Sequence, residues 1–280
     1  EVSFAADIAL MKEAARAGGA IIRKAFGAKV ETWSKGAAGP VTEVDFAANE
    51  AIEAILRPAR PTYGWLSEEG PEDPARLTAE RVFMVDPLDG TQAFLEKAPE
   101  CAVSIGLSIA GRPAAGVVYN PITDEMFEGA VGEGAVLNGS SVQVSSRDQL
   151  QGATLIGKDA WFRQAHWQPP WPPVNALFKA SLAYRLCLVA QGEADGAVFL
   201  GYKHDWDIIA GAALVLAAGG CVSDPWGQEL VFNGQKPRNP GVVAAGPGLH
   251  PLLCAQVFST PHPKDWASNR RPASSEDKPS

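Results

Sequence analysis

Four cysteines are spread through 280 residues, and no two of them form a C-x-x-C pair. Cys101, Cys187, Cys221 and Cys254 are therefore read as buried, reduced thiols rather than a disulfide frame, a zinc site or a redox couple, which fits a cytoplasmic protein. Positive charge is also scarce: 24 Lys and Arg stand against 32 Asp and Glu, a formal net charge of −8, and no basic run interrupts the chain. A groove for a nucleic-acid polymer is disfavoured, and a small anionic substrate would need local cations or a metal. No apolar run approaches the roughly 18 residues of a membrane span. The chain opens on Glu1-Val2 rather than Met, which leaves open residues ahead of Glu1, a removed signal peptide among them.

What is present is enough chain for one large domain or two ordinary ones. Ile8, Met11, Ala15, Ile22 and Phe26 recur at helical spacing over 7–26, weakened by Gly18-Gly19. A second helix is predicted over 42–56, with Asp45 in its first turn and Arg57-Pro58 closing it. After a polar linker at 70–80, short runs at 81–85, 102–109, 114–119 and 125–130, then a hairpin in "GEGAVLNGSSV", read as an antiparallel sheet. A boundary falls near 145–155, dividing an N-terminal α+β part (1–150) from a C-terminal α/β part (151–258). In the second part "SLAYRLCLVAQG" reads as a helix, "ADGAVFL" as a strand and "HDWDIIAGAALVLAAGG" as a helix apolar nearly all round, hence buried. "WFRQAHWQPPWPP", at 161–173, reads as a Pro-rich surface loop whose tryptophans pack locally, with a substrate lip or subunit contact as alternatives. Residues 259–280, rich in Pro, Ser and alternating charge, read as a disordered tail.

The chemistry gathers around "VDPLDGTQAF" at 85–94. Asp-Pro at the end of a strand suits an ordinary type I turn. An EF-hand loop from Asp86 fails, because Leu88 and Lys97 occupy its third and twelfth positions. The three-residue spacing of Asp86 and Asp89 excludes the two-apart aspartates of dehalogenase-type phosphatases, and no G-x-x-x-x-G-K-[ST] loop exists. What remains is a strand that delivers Asp86, the Leu88 carbonyl and Asp89 beside a helix starting near Thr91, a set suited to Mg2+ and phosphate together. "SEEG" adds Glu68 and Glu69, and "HDWD" adds Asp205 and Asp207. Solvated loops and helix caps account for each of these singly. Converging, Glu68, Asp86, Asp89 and Asp207 would repel one another unless cations lay between them.

Glu68-Glu69, then Asp86-Pro87-Leu88-Asp89-Gly90-Thr91, then Trp206-Asp207 opening a helix that ends at Gly219-Gly220, resemble the motifs of the lithium-sensitive, Mg2+-dependent inositol monophosphatase superfamily, in order over about residues 5–255. The resemblance implies a layered αβαβα sandwich, as in the inositol monophosphatase and fructose-1,6-bisphosphatase folds, and a homodimer. It implies two or three Mg2+ ions held by Glu68, Asp86, the Leu88 carbonyl, Asp89 and Asp207, with Asp86 bridging two of them and Glu68 counted in the catalytic set. Asp45 matches the acid paired with the motif threonine, here Thr91, to orient and deprotonate the attacking water. The amides of Gly90 and Thr91 would hold the phosphate, and Lys35 resembles the lysine of the phosphate region.

The ester is read from departures. Inositol phosphatases of the family commonly carry Thr-Asn after D-G-T and a Glu seven residues before the helix Asp; here stand Gln92-Ala93 and Leu200. "YGWLSEE", "DGTQAF" and "SLAYRLCLVAQGEAD" are similar to the bacterial 3′(2′),5′-bisphosphate nucleotidases, which take the 3′-phosphate from adenosine 3′,5′-bisphosphate. Arg185, Lys203 and His204 are the candidate cations for the remaining phosphate. Inositol-1-phosphate and histidinol phosphate are the alternative esters, and a non-catalytic member that binds anions or a partner is the alternative of another class.

Overall fold

The computed structural model describes residues 3–36 and 39–259. The first part of the chain runs α1 (Ala5–Ala25), β1 (Thr32–Ser34), β2 (Pro40–Thr42), α2 (Glu43–Ala59), β3 (Gly64–Ser67), β4 (Arg81–Asp89), α3 (Thr91–Leu95), β5 (Ala102–Ile109), β6 (Arg112–Asn120), β7 (Glu125–Ala130), β8 (Gly134–Leu137) and β9 (Ser140–Val142). The second runs β10 (Thr154–Ile156), α4 (Asp159–Phe162), β11 (Asn175–Leu177), α5 (Leu182–Ala190), β12 (Gly196–His204), α6 (Asp205–Ala217), β13 (Cys221–Ser223), β14 (Arg238–Ala245) and α7 (His250–Phe258).

Two large sheets organise these elements, beside a two-stranded antiparallel pair of β1 and β2. One has seven strands in the order β3-β4-β5-β6-β7-β8-β9, antiparallel except for the parallel β3–β4 pair. The other has five, in the order β11-β10-β12-β14-β13, with β10 parallel to both β11 and β12. Helices α1 and α2 cover the outer face of the seven-stranded sheet, α5 and α6 fill the space between the sheets, and α7 with the Trp-rich segment covers the outer face of the five-stranded sheet. This is an α+β sandwich of five layers, αβαβα. The expected apolar helix is its centre: α6 buries Ile208, Ile209, Leu214 and Val215 against strands of both sheets.

Glycines set how closely the layers approach. A Cβ at Gly18 would lie 2.9 Å from Ile52 Cδ1, and one at Gly19 2.6 Å from the Tyr119 ring. The pair that weakens α1 by about 1 kcal/mol per residue in propensity therefore allows it to touch α2 and β6. Gly106 and Gly116 face each other across β5 and β6, and together they form a notch that receives the backbone of Ala210 on α6.

Several expectations need correction. Arg57-Pro58 does not close α2, which runs to Ala59 because the Arg60 N–H still reaches the Leu56 carbonyl at 3.0 Å. The "linker" at 70–80 holds a short 3-10 turn, Pro74–Leu77, and the fully buried Arg76, whose guanidinium donates to Asn233 Oδ1 (2.8 Å) and the Gly234 carbonyl (3.0 Å). The 161–173 segment does pack its tryptophans together, but as core: Trp167 is 1% exposed and Trp171 8%. The expected tail lies, apart from Ser259, outside the described residues.

Candidate active site

The Asp86-to-Asp89 stretch is not a turn after a strand but the end of β4 itself, with a bulge between the two aspartates in the pairing with β5. In a regular strand, residues three apart face opposite sides. The bulge re-aims them, and both line one cleft of about 570 Å³. Its other walls include Lys35, Glu68, Gly90, Thr91, Gln92, His204, Trp206 and Asp207. Gly90 turns the chain from β4 into α3 at φ 94°, a left-handed conformation, and a Cβ there would strike the Glu100 carbonyl at 2.7 Å.

Each acid is placed by backbone. Glu68 follows β3, held by its N–H to the Val85 carbonyl (3.1 Å). Asp86 is buried and accepts from the Leu88 N–H at 3.0 Å. Asp89 Oδ2 accepts from the Ser181 hydroxyl and the Ala183 N–H, both at 2.6 Å. Asp207 is the third residue of α6 and accepts from the His204 N–H at 3.2 Å. One oxygen each from Glu68, Asp86 and Asp207 lie within 4.8 Å of one another. Burial foremost, then the charges of Glu68, Asp89 and Asp207, holds the Asp86 carboxyl well above the usual range. Burial, with Asp89 and Glu68, does the same to Asp207. Burial also pushes Asp89 up to about 6, against the hydrogen bonds from Ser181 and Ala183. Buried carboxylates that repel one another and offer only hard oxygen ligands fit a divalent cation such as Mg2+.

Asp45 and Thr91 meet as the family resemblance implies. Asp45 Oδ2 is taken by the Thr42 N–H (2.8 Å) and hydroxyl (2.6 Å) in the capping box of α2, leaving Oδ1 to face Thr91 Oγ1 at 2.9 Å. Thr91 Oγ1 also lies 3.1 Å from the Leu88 carbonyl, so its one proton goes to either acceptor. Burial raises the Asp45 carboxyl, opposed by its bonds from Thr42 and Thr91.

The candidate substrate cations divide. Lys35 reaches the cleft, but its ammonium is paired with Glu68 (3.1 Å) and Glu69 (2.5 Å). His204 lines the cleft with its ring stacked on Trp206, centroids 4.6 Å apart. Arg185 and Lys203 do not line the cleft and face a separate cavity. Asp205, the other acid of "HDWD", is fully buried and accepts from the Asn233 N–H (2.8 Å) and Asn239 Nδ2 (3.0 Å), which fixes the start of α6. Ser181 went unrecognised in the sequence as a partner of Asp89. Its position as N-cap of α5, accepting from the Tyr184 N–H at 3.1 Å, was readable. Its second hydrogen bond depends on a contact across the fold.

The family model described as "Inositol monophosphatase family" matches residues 5–261. Inositol monophosphatase 1 of Solanum lycopersicum is 36% identical over 252 residues, covering 85% of this chain and 89% of that protein. Nus factor SuhB of Salmonella typhimurium is 34% identical over 247 residues, covering 83% and 91%. Among solved structures, the extragenic suppressor protein suhB from Bartonella henselae superposes with a TM-score of 0.79 at 30% identity, covering 90% of this chain and 98% of that one. Inositol monophosphatase from Anabaena superposes with a TM-score of 0.74 at 28% identity, covering 91% and 96%.

Proposed function

The chain belongs to the inositol monophosphatase family, phosphoric monoester hydrolases that in general depend on Mg2+, and from that premise we propose that its cleft hydrolyses a small phosphate monoester. The observation that carries this reading is the convergence of Glu68, Asp86 and Asp207 oxygens within 4.8 Å, on the same cleft as the Thr91–Asp45 pair. Glu68, Asp86, Asp89, Asp207 and the Leu88 carbonyl would hold two or three Mg2+ ions. When bound, the ions supply positive charge that eases ionisation of a water and offsets charge on the leaving oxygen. The Thr91 hydroxyl donates to Asp45, and its lone pair is free to accept from the attacking water; were the Leu88 carbonyl to hold a cation, Asp45 would be the one acceptor left to that hydroxyl. Asp45 then draws the proton through Thr91. The amides of Gly90 and Thr91 hold the phosphate oxygens as charge shifts during transfer, and Lys35 exchanges a carboxylate for the phosphate.

We place the 3′-phosphate of adenosine 3′,5′-bisphosphate first among the esters. In support, Leu200 packs on the Trp-rich core rather than offering an oxygen to a polyol. Inositol-1-phosphate is the second reading, favoured by the names of relatives such as that of tomato, with histidinol phosphate beside it. A non-catalytic, partner-binding role has its support in relatives named Nus factor SuhB, and against it stands the intact Thr91–Asp45 pair. Lithium inhibition, a homodimer and a cytoplasmic setting belong to the same reading; no described helix is long and apolar enough to cross a membrane. Phosphate release from the three esters, with Mg2+ and with chelator, tests it. Mg2+-dependent turnover that Asp86→Asn abolishes is expected; no turnover of any ester would leave the binding role.

A further inference from the structure

Among the described residues Arg76 is the one lysine or arginine that is buried, with 0% of its surface exposed. Bases are almost never buried this deeply unless paired, so its place needs a cause. It stands in the 3-10 turn Pro74–Leu77, on the segment that leaves Glu68, and its backbone abuts β3: a Cβ on Gly64 would lie 2.9 Å from Arg76 Cα. The acid that pairs with it, Glu72 at 2.8 Å, has a side chain 65% exposed, and exposed pairs contribute little. The Arg76 Nε finds no partner among the described residues, so the guanidinium does not recover the cost of burial by its own hydrogen bonding.

Its remaining bonds lead across the fold. Nη1 donates to Asn233 Oδ1 (2.8 Å) and to the Gly234 carbonyl (3.0 Å), and Asn233 Nδ2 returns a bond to the Arg76 carbonyl at 2.8 Å. The Asn233 N–H donates to Asp205 Oδ2 at 2.8 Å. Asp205 is fully buried, opens α6 and stands two residues before Asp207. A continuous line of hydrogen bonds thus joins the segment after Glu68 to the first turn of the helix that carries Asp207. Glu68 and Asp86 come from the paired strands β3 and β4, whereas Asp207 comes from the other part of the chain. Repulsion among the acids pushes the head of α6 away from that sheet, and the line through Asn233 opposes it.

We propose that Arg76 is a positioning residue for the metal site: through Asn233 and Asp205 it holds Asp207 at the distance from Glu68 that a shared cation requires. The inference rests on the cleft being a Mg2+-dependent phosphatase site, and Arg76 touches neither substrate nor ion. Ligand atoms around a metal must keep their places to within about 0.2 Å, so a slack head of α6 weakens Mg2+ binding even where the fold is kept.

Asn233→Gly is the first variant. Glycine suits the left-handed φ of 63° and keeps the N–H that Asp205 accepts, so the change removes the bracket with Arg76 and little else. Arg76→Met cuts the line from the other end, and Glu72→Ala removes only the exposed ion pair. Mg2+ affinity by calorimetry, stability in denaturant and the Mg2+ dependence of phosphate release should be measured on each, and on the double variant of Arg76 and Asn233. Mg2+ affinity is expected to fall roughly 10-fold in Asn233→Gly and in Arg76→Met, the lower end of the loss when groups that orient metal ligands are removed. The double variant should lose less than the two losses combined, because both changes cut one line. In each, kcat at saturating Mg2+ should return toward the parent value, since Asp45 and Thr91 are untouched, and Glu72→Ala should bind Mg2+ as the parent does. Unchanged Mg2+ affinity in either folded single variant, with or without a loss of stability, would make Arg76 a structural staple only and overturn the proposal. Fully additive losses, or an equal loss in Glu72→Ala, would overturn the path through Asn233. If Arg76→Met does not fold, Asn233→Gly decides alone. A parent that turns over no ester but whose Mg2+ affinity falls in these variants would sink the phosphatase reading and keep the positioning role. Mg2+-dependent turnover with the same Mg2+ requirement in parent and Asn233→Gly would do the reverse.

Discussion

Replacing Gly116 by Ala should damage metal binding from beneath, without touching an acid. The added Cβ would lie 2.3 Å from the Ala210 carbonyl oxygen, whereas ordinary contact begins at 3.4 Å, so something must move by about 1 Å. Strand β6 is paired on both edges, with β5 and β7, and α1 lies beneath it. Helix α6 therefore gives way, and Ala210 stands one turn after Asp207. Overpacking of this kind costs about 1–3 kcal/mol. Ligand positions around a metal tolerate only about 0.2 Å, and a displacement near 1 Å at reacting groups costs about 100-fold in rate. Gly129→Ala is the control, since its Cβ would meet the Gly134 carbonyl at 2.7 Å on β7–β8, away from the cleft. Chemical denaturation, Mg2+ titration by calorimetry and kcat/KM should be measured on both. We expect comparable losses of stability, with Mg2+ affinity and turnover falling in Gly116→Ala alone. Equal Mg2+ affinity in the two variants would refute the inference that the glycine notch sets the position of Asp207.

Three further outcomes follow from neighbouring contacts. Ser181→Ala removes both the cap of α5 and one of two donors to Asp89 Oδ2; stability should fall by about 1 kcal/mol and Mg2+ affinity by about 10- to 100-fold, and a stability loss without an affinity loss would show that Ala183 suffices. In the metal-free protein, Asp86 and Asp207 titrate well above the usual range and Asp89 at about 6, whereas unfolded aspartates titrate near about 4. Their stabilising contribution is present below the unfolded value and is lost as pH rises through the folded values. Thermal melts in chelator should therefore show Tm falling from about pH 5 to about pH 7, with Mg2+ restoring it at the higher pH; a Tm that rises over this range would contradict it. Trp167→Ala empties a 1%-exposed site and loses the indole hydrogen bond to the Trp161 carbonyl (2.8 Å). It should cost about 3–5 kcal/mol in denaturant, and a cost below 1 kcal/mol would return the segment to the surface.

Much of this molecule was readable in advance because its chemistry is local. The place of Asp45 in the first turn of α2, the spacing of Asp86, Asp89 and Thr91, and the Asp at the start of α6 all lie within a few residues of their supports. What escaped the sequence depended on neighbours. β3, "GWLS", is buried on both faces, so it shows no alternation to announce a strand. β14 begins Arg-Asn-Pro-Gly, which reads as turn chemistry, yet it is an interior strand. Pro240 is tolerated there because the irregular pairing with β12, where Lys203 meets Asn239 and Leu200 meets Gly241, leaves no regular partner opposite it. The Trp-rich segment looked like a surface loop because composition does not say which sheet face lacks a helix. The departure of Lys203 from the cleft was hidden for the same reason as the meeting of Asp86 and Asp89: a bulge reverses the facing that strand spacing implies.

The interior place of β14 has a consequence for how the protein is made. β12 and β13 are joined only through β14, and Asp205 at the head of α6 is held by Asn233 and Asn239, so the five-stranded sheet waits for some of the last residues of the fold. A ribosome adding about 5–20 residues per second will have released the seven-stranded sheet, with Glu68, Asp86 and Asp89, several seconds before Asp207 can take its position. The nascent chain is thus spared the full repulsion of its acids while it is still incomplete. A product broken off before β14 would carry every named acid and still lack the framework that brings Asp207 to the others.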